Sequence, residues 1–169
     1  MIFAIVVVGL GLATVPSVTL SNGLQMPLVH CGTGGETDAS ATDVVHLALA
    51  AGFTGIDTAH DYNCLRGVGN ALAALAPGKR EDLFVTTKVP GCGVPTQGLQ
   101  PPCYDNTHKV FAADMEKLQT PFVDLLLLHF PPLLGCDGER CSKVQEQWTA
   151  LEELYQARAE RTTCVAVWF

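Results

Sequence analysis

Apolar residues in this chain fall into short runs, and stretches with helical spacing separate them. Leu28-Val-His-Cys31, Gly55-Ile-Asp-Thr-Ala59, Leu83-Phe-Val-Thr-Thr-Lys88 and Val123-Asp-Leu-Leu-Leu-Leu128 are the runs. The fourth is almost uninterrupted, as a strand buried on both faces should be. Residues 42–51 carry Val44, Val45, Leu47, Ala48 and Leu49 ahead of Gly52, a helix with a glycine stop. Residues 68–75 form an alanine-rich helix closed by Pro77-Gly78. Residues 106–118 form a third, with Asn106 as N-cap and Val110, Phe111, Met115 and Leu118 on one side. Residues 144–155 form a fourth, with Trp148, Leu151, Leu154 and Tyr155 inward. Ahead of these units, residues 18–27 read as a hairpin around Asn22-Gly23, the strongest two-residue turn signal. Strands alternating with helices predict a parallel α/β sheet with right-handed crossovers and four βα units. Residues 164–169 are placed to start a fifth strand.

A chain of 169 residues reads as one domain and can bury a core without staples. Its 48% hydrophobic and 16% charged content excludes disorder. A net charge of -7 leaves no basic footprint for nucleic acid and no patch for an anionic membrane. Residues 2–13 are continuously apolar, too short to span a bilayer comfortably but fitting a signal-peptide core. Residues 1–17 therefore stand either as a secretory leader or anchor, or as an N-terminal strand. The compartment stays open between the secretory pathway and the cytoplasm.

Seven cysteines bear on that choice. Cys92 and Cys103 bracket a Pro/Gly-rich loop, and Cys136 and Cys141 a short polar turn; in an oxidising compartment both pairs would suit disulfides. No C-x-x-C pair or suitably interleaved His supports zinc, so no metal site is expected. Cys31, within an apolar run, reads as a small buried side chain.

Four polar residues stand at or just beyond the carboxyl ends of three runs: Asp57, Tyr62, Lys88 and His129. Singly, each has an ordinary reading. Asp57 would be a loop cap, Lys88 a solvated strand end, Tyr62 a packing residue and His129 a satisfied loop histidine. Together they match how a (β/α) barrel assembles an active site, from the ends of consecutive strands.

These segments resemble the aldo-keto reductase family. The hairpin Leu20-Ser-Asn-Gly-Leu-Gln-Met-Pro27 is similar to that family's opening, and Gly55-Ile-Asp-Thr-Ala-His-Asp-Tyr62 with Gly67-Val-Gly69 to its strand-two signature. Arg80-Glu-Asp-Leu-Phe-Val-Thr-Thr-Lys88, Val123–His129 and Gln147-Trp-Thr-Ala-Leu-Glu-Glu-Leu154 follow in family order, so the likeness covers about residues 18–155. It implies the first half of a (β/α)8 TIM barrel and NADPH-dependent reduction of an aldehyde or ketone. Tyr62 would be the general acid. A free phenol ionises near pH 10 and is a poor donor at neutral pH; a neighbouring ammonium favours the phenolate, the role the resemblance gives Lys88. Asp57 would hold Lys88 charged, and His129 would position the carbonyl. His60 and Asp61 read as flanking-loop residues, and Trp148 as core.

The family's cofactor site comes from its second half: a Ser-Asn pair after strand five, an amide on strand six, an aromatic under the nicotinamide, and basic residues near strand eight. None has a matching position here, so cofactor-binding residues stay unknown. The expectation is a truncated reductase, with self-association through exposed sheet edges. A non-catalytic half-barrel or assembly module is the other reading. An unrelated barrel acting on a phosphorylated substrate lacks a phosphate-gripping glycine loop.

Overall fold

The computed structural model describes residues 15–93, 98–129, 138–157 and 164–167. The apolar segment at residues 1–14 and Cys136 lie outside them. Strand β1 (Ser17–Thr19) pairs antiparallel with β2 (Gln25–Pro27), forming the expected hairpin. Its turn differs from the two-residue form. Gly23 N donates to Leu20 O and Leu20 N to Leu24 O, leaving Ser21, Asn22 and Gly23 as a three-residue loop. Gly23 takes φ +87°, and the Asn22 side chain accepts from Leu24 N. Three-residue hairpin loops need a left-handed third residue, so the glycine serves one place later than in a two-residue turn.

Strands β3 (His30–Gly32), β4 (Gly55–Asp57), β5 (Phe84–Val89), β6 (Leu125–Leu128) and β7 (Cys164–Val167) form one parallel sheet, ordered as in the chain. Helices α1 (Asp38–Ala50), α2 (Leu65–Ala73), α3 (Cys103–Leu118) and α4 (Gly138–Ala157) alternate with them. The four expected βα units are present, and the closing run supplies a fifth strand. Ile56, Val85, Val89, Leu126 and Leu128 pack in one cluster with Val45, Val68, Phe111, Leu118 and Leu151 of the helices. Each such side chain contributes about 1.5–3 kcal/mol when fully buried. Side chains alternate along a strand, so Asp57, Thr86 and Lys88 take the sheet's other face.

Every helix begins earlier than hydrophobic spacing alone indicates. Helix α1 starts at Asp38 because Thr37 and Ser40 cap each other reciprocally, each side chain bonding the other's backbone N–H. Helix α3 starts at Cys103, not after Asn106, whose amide donates instead to Gln100 O. The Cys103 N–H is satisfied by the Glu146 carboxylate of α4, 3.1 Å away. Within α4, Leu151 is fully buried and Trp148 packs against the core, but Tyr155 is 38% exposed and not inward. A phenol has a polar tip that water satisfies.

Cys92 and Cys103 form a disulfide with Cα atoms 5.7 Å apart, closing the loop after β5. Closure of a loop this short contributes about 2–4 kcal/mol. Cys141 is disulfide-bonded too; its expected partner Cys136 lies outside the described residues. Cys31 is free and only partly buried, and its burial, with the nearby Glu36 carboxylate, pushes the thiol up.

Two glycines let α2 nest between its neighbours. A methyl at Gly67 would lie 1.9 Å from Asp38 O, and one at Gly69 2.1 Å from Lys117 O. Helix propensity alone makes Gly→Ala favourable by about 1 kcal/mol. Backbone oxygens cannot yield, so the clash decides the sign. Gly67→Ala is expected to lose about 1–3 kcal/mol, read as a lower urea midpoint; an unchanged or raised midpoint would mean that the helices separate freely.

Candidate active site

The site sits where β4, β5 and β6 end. Pairing of Asp57 with Thr86, and of Lys88 with Leu127, fixes the relative height of the two charged residues. Beyond β4 the chain turns through a 3-10 segment, His60–Tyr62, closed by Tyr62 N donating to Ala59 O. Asn63 follows in the left-handed region at φ 57°, reversing the chain into α2. His129 comes one residue after β6, its N–H donating to Val89 O of β5.

These backbone constraints bring the four expected residues together. Lys88 Nζ donates to Asp57 Oδ1 at 2.5 Å, to Thr58 O at 3.0 Å and to the Tyr62 hydroxyl at 3.1 Å. The ammonium thus has three acceptors for its three N–H bonds. Because Lys88 is the donor, the Tyr62 oxygen accepts and its own proton remains available to another acceptor. The same Nζ lies 4.7 Å from the Tyr62 ring centroid, within cation–π range. The His129 ring meets Tyr62 edge-on, with centroids 5.4 Å apart and planes at 74°. Lys88 is 12% exposed and Asp57 30%, so their pairing is shielded but reachable from solvent.

Two residues set aside as loop flanks belong to this arrangement. Asp61 Oδ2 accepts from His129 Nδ1 at 3.0 Å, and His60 Nδ1 bonds Asp114 Oδ1 at 2.8 Å. Asp114 has no solvent exposure; Lys117 Nζ stands 3.8 Å from its Oδ1. A sequence signal existed for that pair: Asp114 lies on the same helical face as Phe111, Met115 and Leu118, where a carboxylate needs a partner. For Asp61 the only hint was a charge immediately before Tyr62.

The bond to Asp114 is the main influence holding His60 above the ordinary imidazole value, against burial and Lys117, which lower it; the Asp114 and Asp61 charges add to the rise. A raised folded value means the pair's stability is fully present below the unfolded value of about 6.5 and fades as pH climbs through the folded value. His60→Ala should therefore cost about 1.5–3 kcal/mol at pH 5.5 and less at pH 9. Urea unfolding of both proteins across this range checks it; a deficit that grows with pH would contradict the assignment.

Residues 26–157 match the family model described as "Aldo/keto reductase family". The chain belongs to the aldo/keto reductase family. It is 34% identical over 139 residues to an aldo-keto reductase of Mycolicibacterium smegmatis, covering 82% of this chain and 44% of that protein. It is 36% identical over 141 residues to a glyoxal reductase of Bacillus subtilis, covering 83% and 45%. Among solved structures, a Brucella melitensis aldo/keto reductase superposes with TM-score 0.71 at 30% identity, covering 92% of this chain and 55% of that one. A Bombyx mori aldo-keto reductase in complex with NADP gives 0.70 at 28%, covering 91% and 50%. The chain thus spans about half the length of the curated relatives it matches, and its sheet is part of an aldo/keto reductase TIM barrel.

The donors described at this aldo/keto reductase mouth are largely committed to one another: Lys88 to Asp57, Thr58 and Tyr62, and His129 to Asp61. That set fits a carbonyl oxygen and its proton donor. It does not fit the phosphates of a dinucleotide, which need cationic or backbone N–H groups aimed outward. Among the described residues, no cluster of three or more His, Cys, Asp or Glu side chains could hold a metal ion. No helix described is long and apolar enough to cross a membrane.

Proposed function

We propose that this chain carries the proton-donating and carbonyl-orienting side of an NADPH-dependent reductase that converts an aldehyde or ketone to an alcohol. The observation that carries the reading is the Asp57–Lys88–Tyr62 series, in which the ammonium donates to the phenol oxygen and leaves the phenol proton to give. NADPH would supply the hydride, and the Bombyx mori relative's NADP complex supports that cofactor class. This chain's residues act on the oxygen. As negative charge grows on the carbonyl oxygen, Tyr62 releases its proton to it. The adjacent ammonium stabilises the phenolate left behind. Asp57 and Thr58 O hold the ammonium beneath the phenol. His129, its Nδ1–H given to Asp61, donates to the same carbonyl oxygen through Nε2 when the ring carries a second proton, and so sets the oxygen's direction.

Cofactor-gripping residues are expected from a second half-barrel, so the test supplies one. Residues 15–157 are joined to the second half of the Bacillus subtilis glyoxal reductase, and NADPH fluorescence is titrated before a small aldehyde is added. Saturable binding followed by aldehyde-dependent NADPH consumption is expected. A joined protein that folds and binds NADPH but reduces no carbonyl would favour a non-catalytic half-barrel. The full chain alone is titrated in parallel, where no saturable binding is expected.

A further inference from the structure

The turn His60–Tyr62 sends three consecutive side chains to three anchors on different elements: Asp114 of α3, His129 beyond β6, and Lys88 of β5. We propose that Asp61 is a positioning residue that fixes a proton on Nδ1 of His129 and so decides what Nε2 can do. Its consequence for catalysis rests on the function proposed above, but its geometry does not.

An ionised carboxylate only accepts hydrogen bonds, so the 3.0 Å contact is an N–H given by the imidazole to Asp61. Both side chains are sheltered, His129 at 13% exposure and Asp61 at 16%, so water competes weakly for either group. The backbone on both sides is pinned, His129 by its N–H to Val89 O and Asp61 by the closed turn from Ala59 to Tyr62. A carboxylate in this position sets both the tautomer and the orientation of a histidine.

The consequence follows from counting protons. With Nδ1–H given to Asp61, a neutral ring presents Nε2 as a lone pair, an acceptor. Nε2 donates to a carbonyl oxygen only when the ring carries a second proton, and Asp61 is then its counter-charge. When the ring carries that second proton, the acid side of the site holds two cation–carboxylate couples, Lys88 with Asp57 and His129 with Asp61. Tyr62 lies between them, in ring contact with His129 and bonded to Lys88. Developing negative charge on a substrate oxygen then meets two balanced cations and one phenol.

Long-range 1H–15N correlation of histidine-labelled full-length chain at neutral pH tests this, with the His129 signals assigned by loss in His129→Gln. In the wild type, Nδ1 of His129 is expected in the protonated-nitrogen range. In Asp61→Ala that signal should shift to the unprotonated range, as the ring relaxes to the Nε2–H tautomer. Asp61→Asn preserves size and is expected to shift the same way, because an amide can donate to Nδ1 and select the wrong tautomer. A bare Nδ1 in the wild type overturns the proposal. So does a tautomer unchanged in whichever of the two variants folds by circular dichroism. The spectrum needs no turnover, so the two ideas fail separately. A protonated Nδ1 in a joined protein that reduces no carbonyl refutes the proposed function alone. A bare Nδ1 in an active one refutes only the role of Asp61.

Discussion

Tyr62→Phe is expected to lower kcat for carbonyl reduction in the joined reductase by about 10²–10⁴-fold, the usual worth of a positioned general acid. The variant removes one oxygen and little else. The ring keeps its edge contact with His129, and Lys88 keeps Asp57 and Thr58 O as acceptors. Folding stability should therefore change by no more than about 0.5–1.5 kcal/mol, the net worth of one hydrogen bond. Because the proton moves only in the transition state, the loss should fall on kcat while KM stays within a few-fold. Stopped-flow or steady-state NADPH consumption, set beside a urea melt, separates the two effects. If kcat survives and KM rises instead, Tyr62 binds substrate but does not protonate it.

Arg80→Ala is expected to be the most damaging single change to the fold, costing about 3–5 kcal/mol. The Arg80 guanidinium, in the 3-10 turn ahead of β5, donates to Thr120 Oγ1, Leu83 O, Phe122 O and Asp124 Oδ2, and lies 4.1 Å from the Phe122 ring centroid. Asp124 also accepts from Val85 N, so one carboxylate ties β5 to the segment leading into β6. Burial pushes the Asp124 carboxyl up, opposed by the Arg80 charge, the Val85 N–H and the bond to Arg80. Removing Arg80 leaves that burial less opposed. A carboxyl raised by burial gives most stability when protonated and loses it as pH rises through its folded value. The Arg80→Ala deficit should thus shrink as pH falls toward the carboxylate range. Arg80→Lys should recover only part of the loss, since a single ammonium cannot reproduce the planar fork. Arg80→Ala/Asp124→Asn should lose less than Arg80→Ala alone, because the amide can still accept from Val85 N without a buried charge. Urea denaturation of the series decides it; an Arg80→Ala loss below about 1 kcal/mol would place this network among surface ion pairs.

What could be read from the chain followed from local regularity. Short apolar runs separated by helical spacing locate the parallel strands, and placing polar residues at their carboxyl ends brings Asp57, Tyr62, Lys88 and His129 to one mouth. The rest depended on partners far away in sequence. Asp61 looked like a loop charge because His129, the group it holds, is 68 residues downstream. The start of α3 was missed because Glu146 supplies its cap from another helix. Gln147 was visible only as part of a signature. In the fold its buried amide accepts from Cys92 N and donates to Pro90 O and Thr107 Oγ1, fixing the loop just beyond Lys88. Gly67 and Gly69 likewise showed as a pattern, but the closeness of Asp38 O and Lys117 O that requires them is a property of packing.

Strand order in the parallel sheet equals chain order, and each strand pairs with the one before it. Each strand closes onto the one just before it, so no closure spans more than a single βα unit. The sheet can grow one βα unit at a time as the chain leaves the ribosome. Lys88 can meet Asp57 and Tyr62 as soon as β5 docks, before β6 has joined the sheet. The proton-donating group is thus assembled from β4, β5 and the turn between β4 and α2, and His129, arriving one strand later, joins a pair already in place.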